Sequence, residues 1–275
     1  MRIETTLILT TLLTSIASQM SAVAQEPSPP TGQALHSLPA VDGLNVKLSA
    51  AEALDDIQAR GLGGSLTLPI GHALGLQIDA ATAEVETDSF GDVGVHGVGL
   101  HFFWRDPARG MIGFYGHAIH ADIADGVDIR EAAAEAALYL DRFTLGGLAG
   151  LVSGDVNSQF SGNLKIDYYP TDDIMITVGH GYGLGQHQFR YGAEWAFTSQ
   201  GGVAPSLFLD GMADGDGEAV VLAGARVYWG QSDKPLIRRH REDDPYNPVN
   251  ISIYYNLFEP IAKSAYYNIL NQLQD

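Results

Sequence analysis

The sequence contains no cysteine. No disulfide can staple the chain, and no thiolate is available as a nucleophile or metal ligand. Basic residues are scarce: 15 Lys and Arg stand against 33 Asp and Glu, a net charge of −18. Nucleic-acid binding needs cations clustered on one face, so that class is excluded. No apolar run reaches the roughly 20 residues of a spanning helix, and no G-x-S-x-G elbow marks a serine hydrolase.

What is present begins with "MRIETTLILTTLLTSIASQMSAVAQEP". Arg2, a short apolar stretch from Leu7 to Ile16 and the small residues Ala22-Val23-Ala24 read as a secretory signal peptide over 1–24. No cysteine follows the cleavage point, which excludes a lipoprotein. Residues 25–42 are Pro-rich and polar, the composition of a linker. Glycine then becomes abundant, 32 in the chain, against an ordinary share of about 7%.

From about 43 the sequence runs in segments of roughly ten residues with alternating polarity, divided by turn residues. Twelve such segments are read: about 43–50, 61–70, 73–84, 95–105, 111–121, 130–141, 143–153, 161–169, 174–182, 187–198, 203–212 and 217–229. Tight connections follow the even segments, as at Gly71-His72, Asp106 to Gly110, Arg142, Pro170 to Asp173 and Ser199 to Gly202. Looser and often acidic ones follow most odd segments, with 183–186 the short exception.

Parity assigns the faces. One side is apolar, with Leu74, Leu76 and Ile78, Val98, Leu100 and Phe102, or Leu164, Ile166 and Tyr168. The other carries small and polar residues: Gln77, Asp79, His101, Glu135, Lys165, Asp167, Arg190, Glu194, Asp210 and Arg226. A soluble sandwich would be richer in Lys and Glu on its wet face. Apolar outward to lipid and polar inward to a lumen accounts for the pattern better. Aromatic residues gather at the end with the short turns (Phe102, Trp104, Tyr168, Trp195, Trp229), as a girdle at a membrane interface would.

On this pattern, residues 43–229 resemble the outer-membrane β-barrels of Gram-negative bacteria. The resemblance implies an antiparallel up-and-down transmembrane barrel of about 12 strands in the cell outer membrane, with outer-membrane lipid and the barrel-assembly machinery as partners. The family's last strand carries an assembly signal, and "LAGARVYW" supplies Gly224, Val227 and Trp229 at matching spacing. It departs from the family at Leu222, where a polar residue is usual, and in lying 46 residues before the last residue of the sequence. Residues 230–275 are therefore expected to form a periplasmic extension, partly helical, or to continue the strands through "VNISIYYNLF" at 249–258.

Within that extension, Arg238, Arg239, His240 and Arg241 precede Glu242, Asp243 and Asp244. The bland reading is a solvated loop with local charge pairing; the other is a surface for an anionic periplasmic partner. Apolar residues at steps of four over 257–273 fit an amphipathic helix. Metal signals are weak: His180 and His187 flank a loop without a third ligand, His117 and His120 fall on opposite faces, and "DGMADGDGE" lacks calcium-loop spacing. Ser65, His101 and Asp79 could compose a hydrolytic trio, though any Ser-rich barrel offers one. The sequence thus favours a non-catalytic barrel without cofactor, structural or narrowly porin-like, whose lumen carboxylates mildly favour cations. A lipid-modifying outer-membrane enzyme and a soluble periplasmic binding barrel are the alternatives.

Overall fold

The structure is a computed structural model. It describes residues 38–245 apart from 55–57, 88–90, 124–125, 215–218 and 231. Twelve antiparallel strands follow one another round a ring: β1 (Asn45–Ala53), β2 (Ala59–Ile70), β3 (Leu74–Thr87), β4 (Gly91–Asp106), β5 (Gly110–Ala121), β6 (Val127–Leu140), β7 (Phe143–Gly154), β8 (Gln159–Thr171), β9 (Ile174–Gly183), β10 (Gln186–Ala196), β11 (Val203–Asp214) and β12 (Ala219–Trp229). β1 pairs with β12, from Val46 opposite Trp229 to Ala53 opposite Leu222, and this closes the barrel. A ring so closed has no edge for a further strand. The segment 249–258, like the helix expected over 257–273, lies outside the described residues.

Every connection after an even strand is short and lies at one end, here called lower; the chain enters and leaves the barrel there too. At the β6–β7 turn Asp141 has φ 41°, a left-handed conformation that Asp tolerates in two-residue hairpins. Asp106 shapes the β4–β5 turn, its carboxylate accepting from the Ala108 N–H at 2.9 Å. Pro170 cannot donate to a ladder, and the β8–β9 register shifts just there, between Tyr168 and Thr171; a bulge is where a strand tolerates proline.

Alternation along each strand sorts side chains between wall and interior. On β4, Val98, Leu100, Phe102 and Trp104 point out and stay 42–58% exposed, while His101 and Phe103 are buried. The outward apolar belt has a measurable height. On β6 it runs from Leu140 to Ala132, with Arg130 above it. Eight residues at about 3.4 Å, tilted by about 40°, rise roughly 20 Å along the axis, close to the ~25 Å apolar band of spanning barrels. Above the belt the outer wall turns polar: Arg60, Thr82, Glu84, His96, His120 and Asp128 all project from it.

A helix of seven residues, α1 (Leu236–Glu242), follows β12. The charge run around it was expected to be a solvated loop, and the structure overturns this. Leu236, Arg239, Glu242, Asp243 and Asp244 are all buried. The helix lies in the lower mouth of the barrel, where the turns between strands supply partners for its backbone and charges.

Candidate functional site: the barrel lumen

The interior is filled in three layers. In the lowest, α1 is pinned from several sides. The Ile237 N–H donates to the Asp172 carbonyl at 2.9 Å and the Leu236 N–H to the Asp173 carboxylate at 3.2 Å. Arg239 donates to the Ser199 hydroxyl at 2.7 Å and to the Gly202 carbonyl; Arg241 donates to the Phe143 carbonyl at 2.8 Å. Lys234 reaches three carboxylates, Asp243 at 2.6 Å, Asp42 at 2.9 Å and Glu242 at 3.2 Å. Asp42 belongs to the entering segment. There Ala40 and Val41 are buried, and Val41 packs with Phe103, Met111 and Tyr139. Both ends of the described chain therefore close the lower mouth together.

His240 points from α1 up into the lumen. Its Nδ1 receives the Tyr169 hydroxyl at 3.0 Å and its Nε2 meets the Tyr228 hydroxyl at 3.2 Å. Tyr228 in turn donates to Glu194 at 2.7 Å. A neutral imidazole with its proton on Nε2 fits this chain of contacts, and burial lowers the pKa of His240 from 6.5 to about 4. Burial, added to the charge of Asp244, pushes Asp243 up to about 7 against the opposing pull of Lys234.

The middle layer is polar and paired. Asp79 faces Nε2 of His101 at 3.0 Å and Glu135 faces Nδ1 at 2.9 Å; the first contact is close enough for an ion pair but is not aligned as a hydrogen bond. Gln77 donates to Asp79 at 2.9 Å and Thr67 to Gln77 at 2.8 Å. Across the lumen, Arg226 pairs with Glu194 at 2.5 Å and with Asp210 at 3.0 Å, its guanidinium 3.7 Å from the centre of the Phe208 ring. Ser206 also donates to Glu194, at 2.6 Å. Lys165 holds Asp167 at 2.7 Å, and Lys47 holds Asp244 of the plug at 3.2 Å. Arg190 donates to the Gln188 amide oxygen at 3.2 Å. Between these groups a cavity of about 140 Å³ remains.

The upper layer is apolar. Val85, Val95, Ile119 and Ile129 from one side of the ring join Met212, Val220 and Leu222 from the other in one buried cluster. Sequence parity had attached the polar face to the lumen along whole strands. The structure restricts it to the middle and puts hydrocarbon above, because outward and inward polarity exchange at the top of the belt.

The ten polar-face residues read from the sequence are thus all interior and fall into two clusters plus Arg190: Gln77, Asp79, His101 and Glu135 on one side, Lys165, Asp167, Glu194, Asp210 and Arg226 on the other. The five aromatics Phe102, Trp104, Tyr168, Trp195 and Trp229 are on the outer wall at the lower end, 39–53% exposed. Val227 and Trp229 share that wall. Gly224 is interior, and a Cβ there would lie 2.3 Å from the Ala50 carbonyl oxygen and 2.5 Å from the Phe208 ring. Only glycine lets Phe208 lie across β12 and carry Arg226.

Ser65, Asp79 and His101 do come together, but in the wrong order. Ser65 pairs in register with Asp79, and Asp79 in turn faces His101. A hydrolase needs the imidazole in the middle, and both nitrogens of His101 are taken by carboxylates. The same inversion recurs higher up, where Ser161 donates to Glu131 at 2.5 Å and Glu131 faces His117 at 3.3 Å. His180 and His187 were expected to flank an outer loop. They flank the β9–β10 turn from the two strands, diagonal to each other across the ladder, their ring nitrogens 3.2 Å apart. The acidic stretch at 215–218 lies outside the described residues.

The plug residues were missed as buried groups. A usable signal was there: Leu236-Ile237 beside charges spaced for pairing, Arg238 with Glu242 (i, i+4) at 2.6 Å.

No protein family and no curated protein matches the sequence. Solved structures do resemble the fold. KdgM porin has a TM-score of 0.48 at 7% identity, over 68% of this chain and 98% of that one. An outer-membrane channel from Pseudomonas putida F1 also reaches 0.48, at 14% identity over 74% and 99%. Outer membrane phospholipase A from Escherichia coli reaches 0.42, at 12% identity over 71% and 99%. These are likenesses of barrel architecture and no more.

Proposed function

We propose that the chain is an outer-membrane barrel with a permanently filled lumen, a structural or platform protein rather than an open pore or a catalyst. The lower end then faces the periplasm and the upper end the outside. The observation that carries this is the layering of a buried helix below, paired charges in the middle and a hydrocarbon cluster above. Most of the lumen carboxylates are matched with Arg226, Lys165, Lys47 or His101, while Glu131 is held by Ser161 and His117. The apolar belt and the lower ring of aromatics support membrane insertion.

A second reading rests on the cavity and on the carboxylates around it: a narrow, cation-favouring pore that opens when α1 leaves the mouth. The two readings part in planar bilayers. Detergent-folded protein, verified by a band that shifts on boiling, is expected to give no steady conductance. Cation-selective steps from the intact chain would establish the second reading, and recovery in the soluble periplasmic fraction would overturn both.

A further inference from the structure

Above the apolar belt, one row of residues crosses four strands of the outer wall in register: Thr82 on β3, His96 on β4, His120 on β5 and Asp128 on β6. The two imidazoles are direct cross-strand partners. Each has its Nδ1 held by its outer neighbour, His96 by the Thr82 hydroxyl at 3.0 Å and His120 by the Asp128 carboxylate at 2.8 Å. In the tautomer that carries hydrogen on Nδ1, each Nε2 keeps its lone pair, and both Nε2 atoms border one place. The carboxylate of Asp122 lies there, with Oδ1 3.3 Å from His120 Nε2 and Oδ2 3.8 Å from His96 Nε2. It can lean across β4 because residue 94 is glycine: a Cβ there would sit 2.6 Å from Oδ2.

We propose that His96, His120 and Asp122 form a binding site for a divalent transition ion of the zinc class, with water completing the shell. Two imidazoles and one carboxylate are the donors such an ion takes. Donors bonded tetrahedrally at about 2.0–2.1 Å lie about 3.3 Å apart, so the His120 contact already has the spacing of two ligands of one ion. As the side chains stand, no three donors among the described residues close on a single point. The wider His96 contact accounts for that. Asp122 and His96 are more than half exposed, so a small rotation of either narrows it. Thr82 and Asp128 do what outer partners of ligating histidines do, fixing tautomer and ring plane. The ion would bind β4 to β5 at the water-exposed rim, where the ladder ends.

Calorimetric titration of Zn²⁺ into the folded, untagged full-length chain in detergent tests this. One ion per barrel is expected. H96A, H120A and D122N should each weaken binding by about tenfold or more, and D128A by about tenfold through loss of ring orientation. H187A, which disrupts the other histidine pair, should leave affinity unchanged. All five side chains are on the outer wall, and an unchanged heat-dependent gel shift confirms that each variant is folded. The proposal is overturned if wild type takes up no Zn²⁺, if the H96A/H120A double variant binds like wild type, or if H187A removes the site.

Discussion

His101 shows what a single interior residue commits the barrel to. It is fully buried and its two nitrogens face Asp79 and Glu135, so the side chain cancels charge that the lumen could not otherwise hold. Breaking a buried pair leaves an uncompensated ion, which costs about 3–5 kcal/mol. H101Q is expected to destabilise by that order in urea unfolding from detergent. D79N and E135Q added to H101Q should recover much of the loss, because no charge is then stranded. If the triple variant is no more stable than H101Q, the charge argument is wrong and shape decides. The sequence made the facing of this residue legible, since period two is all that facing requires. Its partners were not legible: Asp79 and Glu135 lie 22 and 34 positions away, and only the register of the neighbouring strands, settled by closure of the ring, brings them to one point. Thr82, His96, His120 and Asp128 share a row for the same reason, and composition gives no sign of it.

At the scale of elements, the strands were read well because each has an apolar wall face of ordinary period and a turn at either end. The exchange of polarity above the belt went unread because alternation is symmetric: Val93 and Val95 continue the inward face of β4, while Val98 and Leu100 belong to the outward one. Height along the barrel axis, not pattern, separates them. This can be measured. Leu100→Arg places a cation mid-belt and should cost roughly 2–4 kcal/mol of folding free energy in a bilayer, whereas Thr82→Arg, on the same outer wall above the belt, should cost at most about 1 kcal/mol. Equal and small costs at both positions would mean that the outer wall meets water throughout, and the belt would not be a membrane belt. The tail was misread for a different reason. A cluster of seven ionisable residues is ordinarily solvated, and α1 escapes that rule because Lys234, Lys47, Asp42 and the turn carbonyls of the barrel meet its charges one by one.

The whole molecule is closed from below by α1, so its behaviour with pH depends on what α1 brings into the lumen. An undocked histidine gains its proton near 6.5, the docked His240 only at about 4. The docked state therefore binds fewer protons across that window, and docking weakens as pH falls through it. Asp243 acts with the opposite sign. Its docked carboxyl keeps a proton up to about 7, whereas the free group loses it near 3.8, so docking weakens as pH rises from about 4 to about 7. In the intact chain the two slopes oppose each other, and docking should vary little over this range. Substitution separates them. H240Q should leave α1 held most tightly near pH 4 and progressively less toward 7, while D243N should show the reverse, tightening from pH 4 to about 6.5. Hydrogen exchange of the α1 amides, compared at matched intrinsic rates, reads this without requiring the barrel to unfold, because the strands stay closed by the β1–β12 pairing whatever the helix does. A flat D243N profile would mean that His240 is already protonated when docked, and the relay through Tyr228 to Glu194 would have to run from an imidazolium instead.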